Sequence, residues 1–235
     1  MNRFCRQTPR SERISELKDL HSGRVALPVK LLNQDAHLLF DTGGAVRSLT
    51  YDAAQRLGLK THTGTIKLRN LKGKTSQLST TVPSIIFGDA EVKDITFLIL
   101  PKGQNAERVI TRETYESVKQ TLGDKFEDKA TREAALKAAA VDAYDGVLAL
   151  DLFEAVDYDL DFANKKLTLF SDKHCPGKVL YWPADVIAEV PFEFVGEHIT
   201  FPVTLDGVTL RAVLDTGASA SNVNLTLPKA ICTWI

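Results

Sequence analysis

The sequence predicts a mostly β protein with a helical insertion at about residues 101–143, and three observations lead to this prediction. Alternating apolar and polar residues recur between turns rich in Gly, Asn and Asp, which is typical of strands. A charged stretch from Ala130, ATREAALKAAAVDAY, interrupts them and strongly favours a helix. A segment also occurs twice without a gap, as LPVKLLNQDAHLLFDTG at 27–43 and FPVTLDGVTLRAVLDTG at 201–217. Such an internal repeat indicates two copies of one structural unit.

The N-terminal part of the chain predicts a helix followed by a hairpin. Thr8 and Pro9 favour the start of a short helix that runs to Leu20. Strands are then predicted at 25–32 and 36–40 around a polar turn, and the second strand ends where the repeated motif begins.

A short helix and two hairpins are predicted after the first motif. Thr50 is a candidate N-cap for the helix YDAAQRLGL, in which Gly58 supplies the left-handed residue that ends it. The first hairpin turns at the polar residues 70–74. The four strands of the two hairpins are predicted at 65–69, 76–82, 84–87 and 94–100.

Beyond the helical insertion the chain again predicts strands. A buried strand is expected at 147–150, and Asp151 favours a brief helical turn. Strands at 158–162 and 166–170 are expected to pair with each other across a two-residue turn. After a linker rich in Pro and Gly, strands are predicted at 187–194, 198–205 and 208–214.

The composition argues against several classes of partner and cofactor. The formal net charge is −1, so no strong field favours nucleic acid or an anionic membrane surface. No apolar stretch approaches the roughly 20 residues that span a bilayer. Cys5, Cys175 and Cys232 fit neither a zinc pattern nor a disulfide framework, so we predict no metal and no cofactor. His37 and His62 have no nucleophile around them, and structural or solvent-facing roles are predicted for all five histidines.

The repeated tripeptide Asp-Thr-Gly carries the candidate chemistry. A single copy is an ordinary turn signal, because Asp and Gly are common turn residues. Two copies, each after the same hairpin pattern, indicate a pair of carboxylates that share one proton when they lie a few Å apart. The six candidate site residues are Asp41, Thr42, Gly43, Asp215, Thr216 and Gly217.

Residues 23–171 resemble the retropepsin-like aspartic proteases on four marks in chain order. These are the hairpin into Asp41-Thr42-Gly43, a helix that closes on Leu-Gly-Leu, a hairpin pair whose first member lies where the family has its flap, and DGVLALD at 145–151. The last is similar to the family's second apolar element, DGILGLD, and 158–170 is similar to its closing segment. The chain departs from the family pattern at Ala149, which replaces a Gly, and at Gly44, which replaces the common Ala.

The resemblance implies a closed β-barrel in which Asp41 acts in acid–base catalysis. The ionised carboxylate of the pair takes a proton from a bound water, and the protonated one donates to the substrate carbonyl. Thr42 is similar to the family's threonine whose hydroxyl crosses between the two halves and locks the loops together. Gly43 lets the backbone turn closely without a Cβ clash.

Two routes to the partner carboxylate stay open. In one, two chains form a symmetric homodimer and each contributes Asp41 through an isologous interface. In the other, Asp41 and Asp215 meet within one chain. The second copy is expected to be truncated, because 225–235 does not repeat the first copy's helix and Pro228 would fall inside it.

The sequence therefore predicts an N-terminal extension at 1–21, a retropepsin-like domain at 22–172, a linker at 173–186 and the beginning of a second repeat at 187–235. The favoured hypothesis is an aspartic endopeptidase that cleaves an extended peptide or protein substrate between a flap and the active loop. The alternatives are an inactive module that binds peptides or serves in assembly, and a purely structural β protein. The N-terminus lacks the apolar region of a signal peptide, which predicts a cytoplasmic location unless translation starts further upstream.

Overall fold

The computed structural model describes residues 11–20, 23–69, 73–102, 108–110, 112–139, 141–142, 144–153, 156–171 and 188–223. Within these residues the α-helices α1 to α3 are Tyr51–Arg56, Arg112–Leu122 and Lys129–Ala139. The strands β1 to β16 are Ser11–Glu16, Lys18–Asp19, Val25–Leu31, Gln34–Phe40, Ser48–Leu49, His62–Arg69, Thr75–Phe87, Ala90–Ile99, Arg108–Val109, Val141–Asp142, Gly146–Leu148, Val156–Asp161, Lys166–Ser171, Glu193–Val195, His198–Leu205 and Val208–Val213. The predicted mostly β fold is confirmed. The predicted linker, the three cysteines and Pro228 lie outside the described residues.

The hairpin of β3 and β4 leads into the first motif, as predicted. Its two strands pair antiparallel, with Leu31 opposite Gln34 at the turn. Leu32 and Asn33 form that turn with φ angles of 51° and 62°, as two-residue hairpin loops require at both positions. The inward-facing side chains of the hairpin are fully buried, so apolar packing fixes the strand register and the place where the motif begins.

Six strands close into a barrel around the main hydrophobic core. β3 pairs with β4, β4 with β11, β11 with β5, β5 with β8, β8 with β7, and β7 returns to β3. The β4–β11 and β5–β8 pairs are parallel, whereas the other four are antiparallel. The interior is filled by side chains from all parts of the ring, including Leu27, Phe40, Phe97 and Leu148. The closed β-barrel that the sequence predicted is therefore present.

One strand prediction in this barrel is wrong. The strands expected at 76–82 and 84–87 form the single strand β7, which belongs to both hairpins. Pro83 separates the two predicted strands because proline cannot donate to a ladder. The pairing nevertheless keeps one register on both sides of it, with Val82 opposite Ile95 and Ser84 opposite Lys93. Asp94, which faces the gap, adopts a left-handed conformation with φ of 54°.

The predicted helix over residues 8–20 is also wrong for the part that the structure describes. Residues 11–16 form β1, which pairs antiparallel with β13, and β2 pairs with β3. Leu17 and Leu20 are buried. Spacing of three residues suggested a helical face, but the exposed edges of β13 and β3 offer backbone partners that outweigh a weak local preference.

The helical insertion leaves and re-enters the barrel through the short antiparallel pair β9–β10. It contains α2, a 3-10 turn at Gly123–Glu127 and α3. The helix predicted from Ala130 is confirmed as far as Ala139, whereas Val141–Asp142 of the same predicted segment form β10. Phe126 is buried between Tyr115 and Arg132, with ring centroids 5.3 Å apart in the aromatic pair. In the part of the chain that the structure describes, no helix is long and apolar enough to cross a membrane.

The second repeat forms a separate three-stranded sheet, in the order β14, β15, β16. Leu205 lies opposite Val208 at its turn, which places the β15–β16 register 174 residues after the β3–β4 register. Of the strand predicted at 187–194, only the end is present, as β14. Equivalent side chains differ in environment: Phe40 is 1% exposed and Leu214 40%, because no barrel surrounds the second hairpin among the described residues.

Candidate active site

The two Asp-Thr-Gly loops have the same local structure. The first follows β4 and the second follows β16, at the same position relative to its hairpin. In each loop the glycine N–H donates to the aspartate Oδ1, at 3.0 Å from Gly43 to Asp41 and 2.9 Å from Gly217 to Asp215. The repeat in sequence is therefore a repeat in geometry.

The two loops face each other, and each glycine lies against the carboxylate of the other loop. A Cβ atom at Gly43 would fall less than 3.0 Å from the carboxyl atoms of Asp215. A Cβ at Gly217 would overlap the carboxyl group of Asp41 in the same way. Only glycine leaves this space open, so the two motifs are complementary surfaces that bring Asp41 and Asp215 together.

Reciprocal hydrogen bonds between the two threonines hold the loops in this arrangement. The Thr42 hydroxyl donates to the Leu214 carbonyl at 2.7 Å and accepts from the Thr216 N–H at 3.0 Å. The Thr216 hydroxyl donates to the Phe40 carbonyl at 2.7 Å and accepts from the Thr42 N–H at 3.1 Å. Since Thr42 is fully buried, these four bonds are shielded from competing water.

The electrostatic environments of the two carboxylates differ. Asp41 is half-buried, whereas Asp215 is exposed. Burial, and next the negative charge of Asp215, raise the pKa of Asp41 above its ordinary value; backbone hydrogen bonds from Gly43 and Gly44 oppose this. Asp215 Oδ1 accepts hydrogen bonds from the Gly217 and Ala218 N–H groups.

The second apolar element, DGVLALD at 145–151, supports the first loop through a backbone hydrogen bond. The Asp41 N–H donates to the Leu148 carbonyl at 3.0 Å, and β11 lies beside β4. Gly146 is needed there, because a Cβ would overlap the Ser48 carbonyl. Ala149 is buried in an extended conformation, with φ of −91° and ψ of 172°, which any residue can adopt. The departure from the family's glycine at Ala149 is therefore accommodated.

Two ion pairs beside the first loop were not identified by sequence reasoning. Arg47 contacts Asp151 at 3.1 Å, and Arg56 contacts Asp145 at 2.8 Å. Asp145 Oδ2 also accepts from the His37 N–H at 2.9 Å, which ties α1 to β4. Both carboxylates flank the apolar run of DGVLALD, and a carboxylate beside a buried strand requires a partner. The sequence thus indicates that both aspartates need a partner, but it does not show which arginine pairs with which aspartate.

The structure thus places all six predicted site residues at one point. Asp215 of the same chain lies opposite Asp41, in the place that the dimer route gives to a second chain. Two adjacent carboxylates of unequal burial can share one proton and hold a water molecule between them. Within the described ranges there is no group of three or more His, Cys, Asp or Glu side chains that could bind a metal ion.

Comparisons with known proteins address the first repeat. Residues 27–114 match a family model described as aspartyl protease, and this segment contains the first motif, most of β3 and strands β4 to β9. No curated protein sequence gives a match. Among solved structures, the chain is similar to a retropepsin-like aspartic protease from Rickettsia conorii, at 16% identity and a TM-score of 0.35, over 66% of this chain and 86% of that chain.

Proposed function

We propose that this chain, a retropepsin-like aspartic protease, is an endopeptidase in which Asp41 and Asp215 of one molecule activate the attacking water. The observation that carries the proposal is the contact of each motif glycine with the opposite aspartate. This contact brings the carboxylates within range of a shared proton, and the threonine bonds keep them there. Peptide hydrolysis by this chemistry requires one ionised and one protonated carboxylate at the same time.

The unequal burial of the two carboxylates supports distinct starting roles. Asp41 is half-buried beside another negative charge, so it holds the shared proton and donates it to the substrate carbonyl. We assign the other role, taking a proton from water, to Asp215, because a dyad that shares one proton has one ionised member. Because the two groups titrate together, activity is expected to follow a bell-shaped pH profile that belongs to the pair.

The substrate is an extended peptide that lies between the dyad and the β6–β7 hairpin. β6 is the edge strand of the eight-stranded sheet, and most of its residues are exposed. It pairs with β7 alone, with a register irregularity between Thr63 and Leu68. An edge strand with open backbone groups can pair with a peptide main chain whatever its side chains are.

The test is hydrolysis of a quenched fluorescent peptide library between pH 3 and 7 by the purified chain. Asp41→Asn is expected to lower kcat/KM by about 10²–10⁴-fold, the range that acid–base groups contribute. The matched control is Asp35→Asn, on the same hairpin, where the carboxylate pairs with Lys30 on the exposed surface. Its activity is expected to equal that of the wild type.

Two results would contradict the proposal. One is an Asp41→Asn variant that cleaves the library as fast as the wild type. The other is a folded wild-type chain that cleaves nothing across the pH range, which would leave the peptide-binding module as the better account.

A further inference from the structure

We infer that Arg47 is a positioning residue for Asp41, which acts through Asp151 and the Thr96 carbonyl to fix the exit of the active loop. The kinetic consequence of this inference rests on the proposed function, but its geometry does not. Arg47 is the last residue between the first motif and β5. It is therefore placed where a loop that must hold a carboxylate steady returns to the barrel.

Three contacts join Arg47 to two different parts of the barrel. Its Nε donates to the Thr96 carbonyl at 2.9 Å, and its own carbonyl accepts from the Leu98 N–H at 3.2 Å, so it is tied to β8 twice. Its guanidinium contacts the Asp151 carboxylate at 3.1 Å. Both side chains are about three-quarters buried, at 25% and 23% exposure, so water screens this ion pair less than a surface pair.

The same short segment of chain holds both ends of the first loop. At the entrance, the Asp41 N–H donates to the Leu148 carbonyl. At the exit, Arg47 contacts Asp151, which lies three residues after Leu148 in the turn Leu150–Leu152. One segment, from Leu148 to Asp151, therefore contacts both ends of the first loop, and loss of the Arg47 side chain would remove its contact at the exit.

The second loop lacks an arginine at the position equivalent to Arg47. Its equivalent position, 174 residues later, is Ser221, which is exposed and cannot form an ion pair. The second loop meets the first through the reciprocal bonds of Thr42 and Thr216. Arg47 therefore ties the Asp41 loop to the barrel, and the threonine bonds join the Asp215 loop to that loop.

We expect Arg47→Ala to lower kcat by about 10- to 100-fold while KM changes less than about twofold, because a displacement of about 1 Å can cost 100-fold in rate. Carboxylates that move apart repel less, so the two apparent pKa values of the dyad should approach each other and the bell-shaped profile should narrow. A purely structural role would lower activity in proportion to the folded fraction and leave the profile width unchanged.

The experiment measures kcat, KM and the pH profile on a fluorescent peptide, together with a ¹³C NMR titration of the dyad carboxyl groups. The variants are Arg47→Ala, Arg47→Lys, Asp151→Asn and the double variant Arg47→Ala/Asp151→Asn. Arg47→Lys keeps the ion pair but not the fork that reaches Thr96, so an intermediate effect is expected. The kcat of the double variant should be no lower than that of the less active single variant, because both single substitutions remove the same Arg47–Asp151 ion pair.

Lys30→Ala is the matched control, since it breaks an exposed ion pair of 2.8 Å on the same hairpin. It should change neither kcat nor the profile. The inference would be overturned if the folded Arg47 and Asp151 variants kept the wild-type kcat and the wild-type pKa values of the dyad. If Arg47→Ala does not fold, Arg47→Lys and Asp151→Asn are judged by the same two measurements. A wild type without turnover would refute the proposed function. The difference between the two apparent pKa values of the dyad, measured by NMR, would still test the role of Arg47.

Discussion

The two copies of the repeat have the same backbone in very different surroundings. Each has a hairpin of identical register followed by the same Asp-Thr-Gly turn. In the first copy, four further strands close a barrel over the hairpin, whereas in the second the described hairpin carries only β14 beside it. Leu31 is fully buried and its equivalent, Leu205, is 38% exposed. The hairpin and motif alone therefore define the loop geometry, and the barrel adds rigidity and burial.

This difference also accounts for the asymmetry of the dyad. The barrel half-buries Asp41 and anchors its loop through Leu148 and Arg47. Asp215 is exposed, and among the described residues its loop is held by the threonine bonds. A duplicated motif thus supplies two similar carboxylates, and unequal packing around them raises the pKa of Asp41.

The largest effect is expected from a methyl group placed between the two loops. Gly43→Ala should lower kcat/KM by at least about 100-fold, because its Cβ would overlap the Asp215 carboxyl group and displace the dyad. Gly44→Ala is the matched control, since the second loop already carries Ala218 at the equivalent position. It should retain activity within about tenfold. Equal activity of the two variants, measured on one peptide, would contradict the complementary fit of the loops.

Loss of a threonine hydroxyl should affect both stability and activity. Thr42→Val keeps the side-chain shape but leaves the Leu214 carbonyl and the Thr216 N–H without their partner, which should cost about 1–3 kcal/mol. Thr42→Ser keeps the hydroxyl and should stay close to the wild type. Urea unfolding measures the difference. If Thr42→Val is as stable as Thr42→Ser, the reciprocal bonds do not hold the two halves together.

Core truncation at equivalent positions compares the two copies directly. Leu31→Ala should destabilise the barrel by about 2–5 kcal/mol, because Leu31 is fully buried and a cavity would remain. Leu205→Ala removes the same atoms from a side chain that is 38% exposed and should cost about 1 kcal/mol or less. Chemical denaturation of both variants tests this. Similar losses would mean that the second hairpin is as well packed as the first.

The smallest effect concerns pH and has a defined sign. Burial raises the pKa of Asp41, so its ionisation opposes folding, and the stability it contributes at low pH is lost as pH rises through the folded-state pKa. Asp41→Asn should therefore raise Tm near pH 7, and the gain should vanish below about pH 3, under the ordinary pKa of an aspartate. Asp35→Asn should show no gain, because Lys30 lowers the pKa of Asp35. A gain of Asp41→Asn that persists at pH 3 would contradict the assigned cause.

Much of the barrel could be predicted from sequence because its signals are local. Thr50 caps α1 through its hydroxyl, at 3.1 Å from the Ala53 N–H, and Gly58 has a φ of +66°. The wrong secondary-structure predictions concern strands that pair with distant segments of the chain. β1 forms because β13 offers a free edge, and β7 continues through Pro83 because β8 keeps its register on both sides. Neither partner is visible in the residues of the strand concerned.

The candidate site shows the same division. The repeated motif identified all six residues at the dyad, but the sequence left open whether Asp41 would meet Asp215 or a second Asp41. That choice depends on where the second hairpin packs against the first, which no local pattern specifies. Arg47 was missed for a related reason, since its partners Thr96 and Asp151 lie 49 and 104 residues away.

The central claim is that Asp41 and Asp215 of one molecule form the dyad, and the peptidase activity of Asp215→Asn tests it most directly. The account predicts that this variant is folded, loses activity by about 10²–10⁴-fold as Asp41→Asn does, and gains none when the two inactive variants are mixed. Wild-type activity in purified Asp215→Asn would contradict the account, since the partner of Asp41 would then come from another chain.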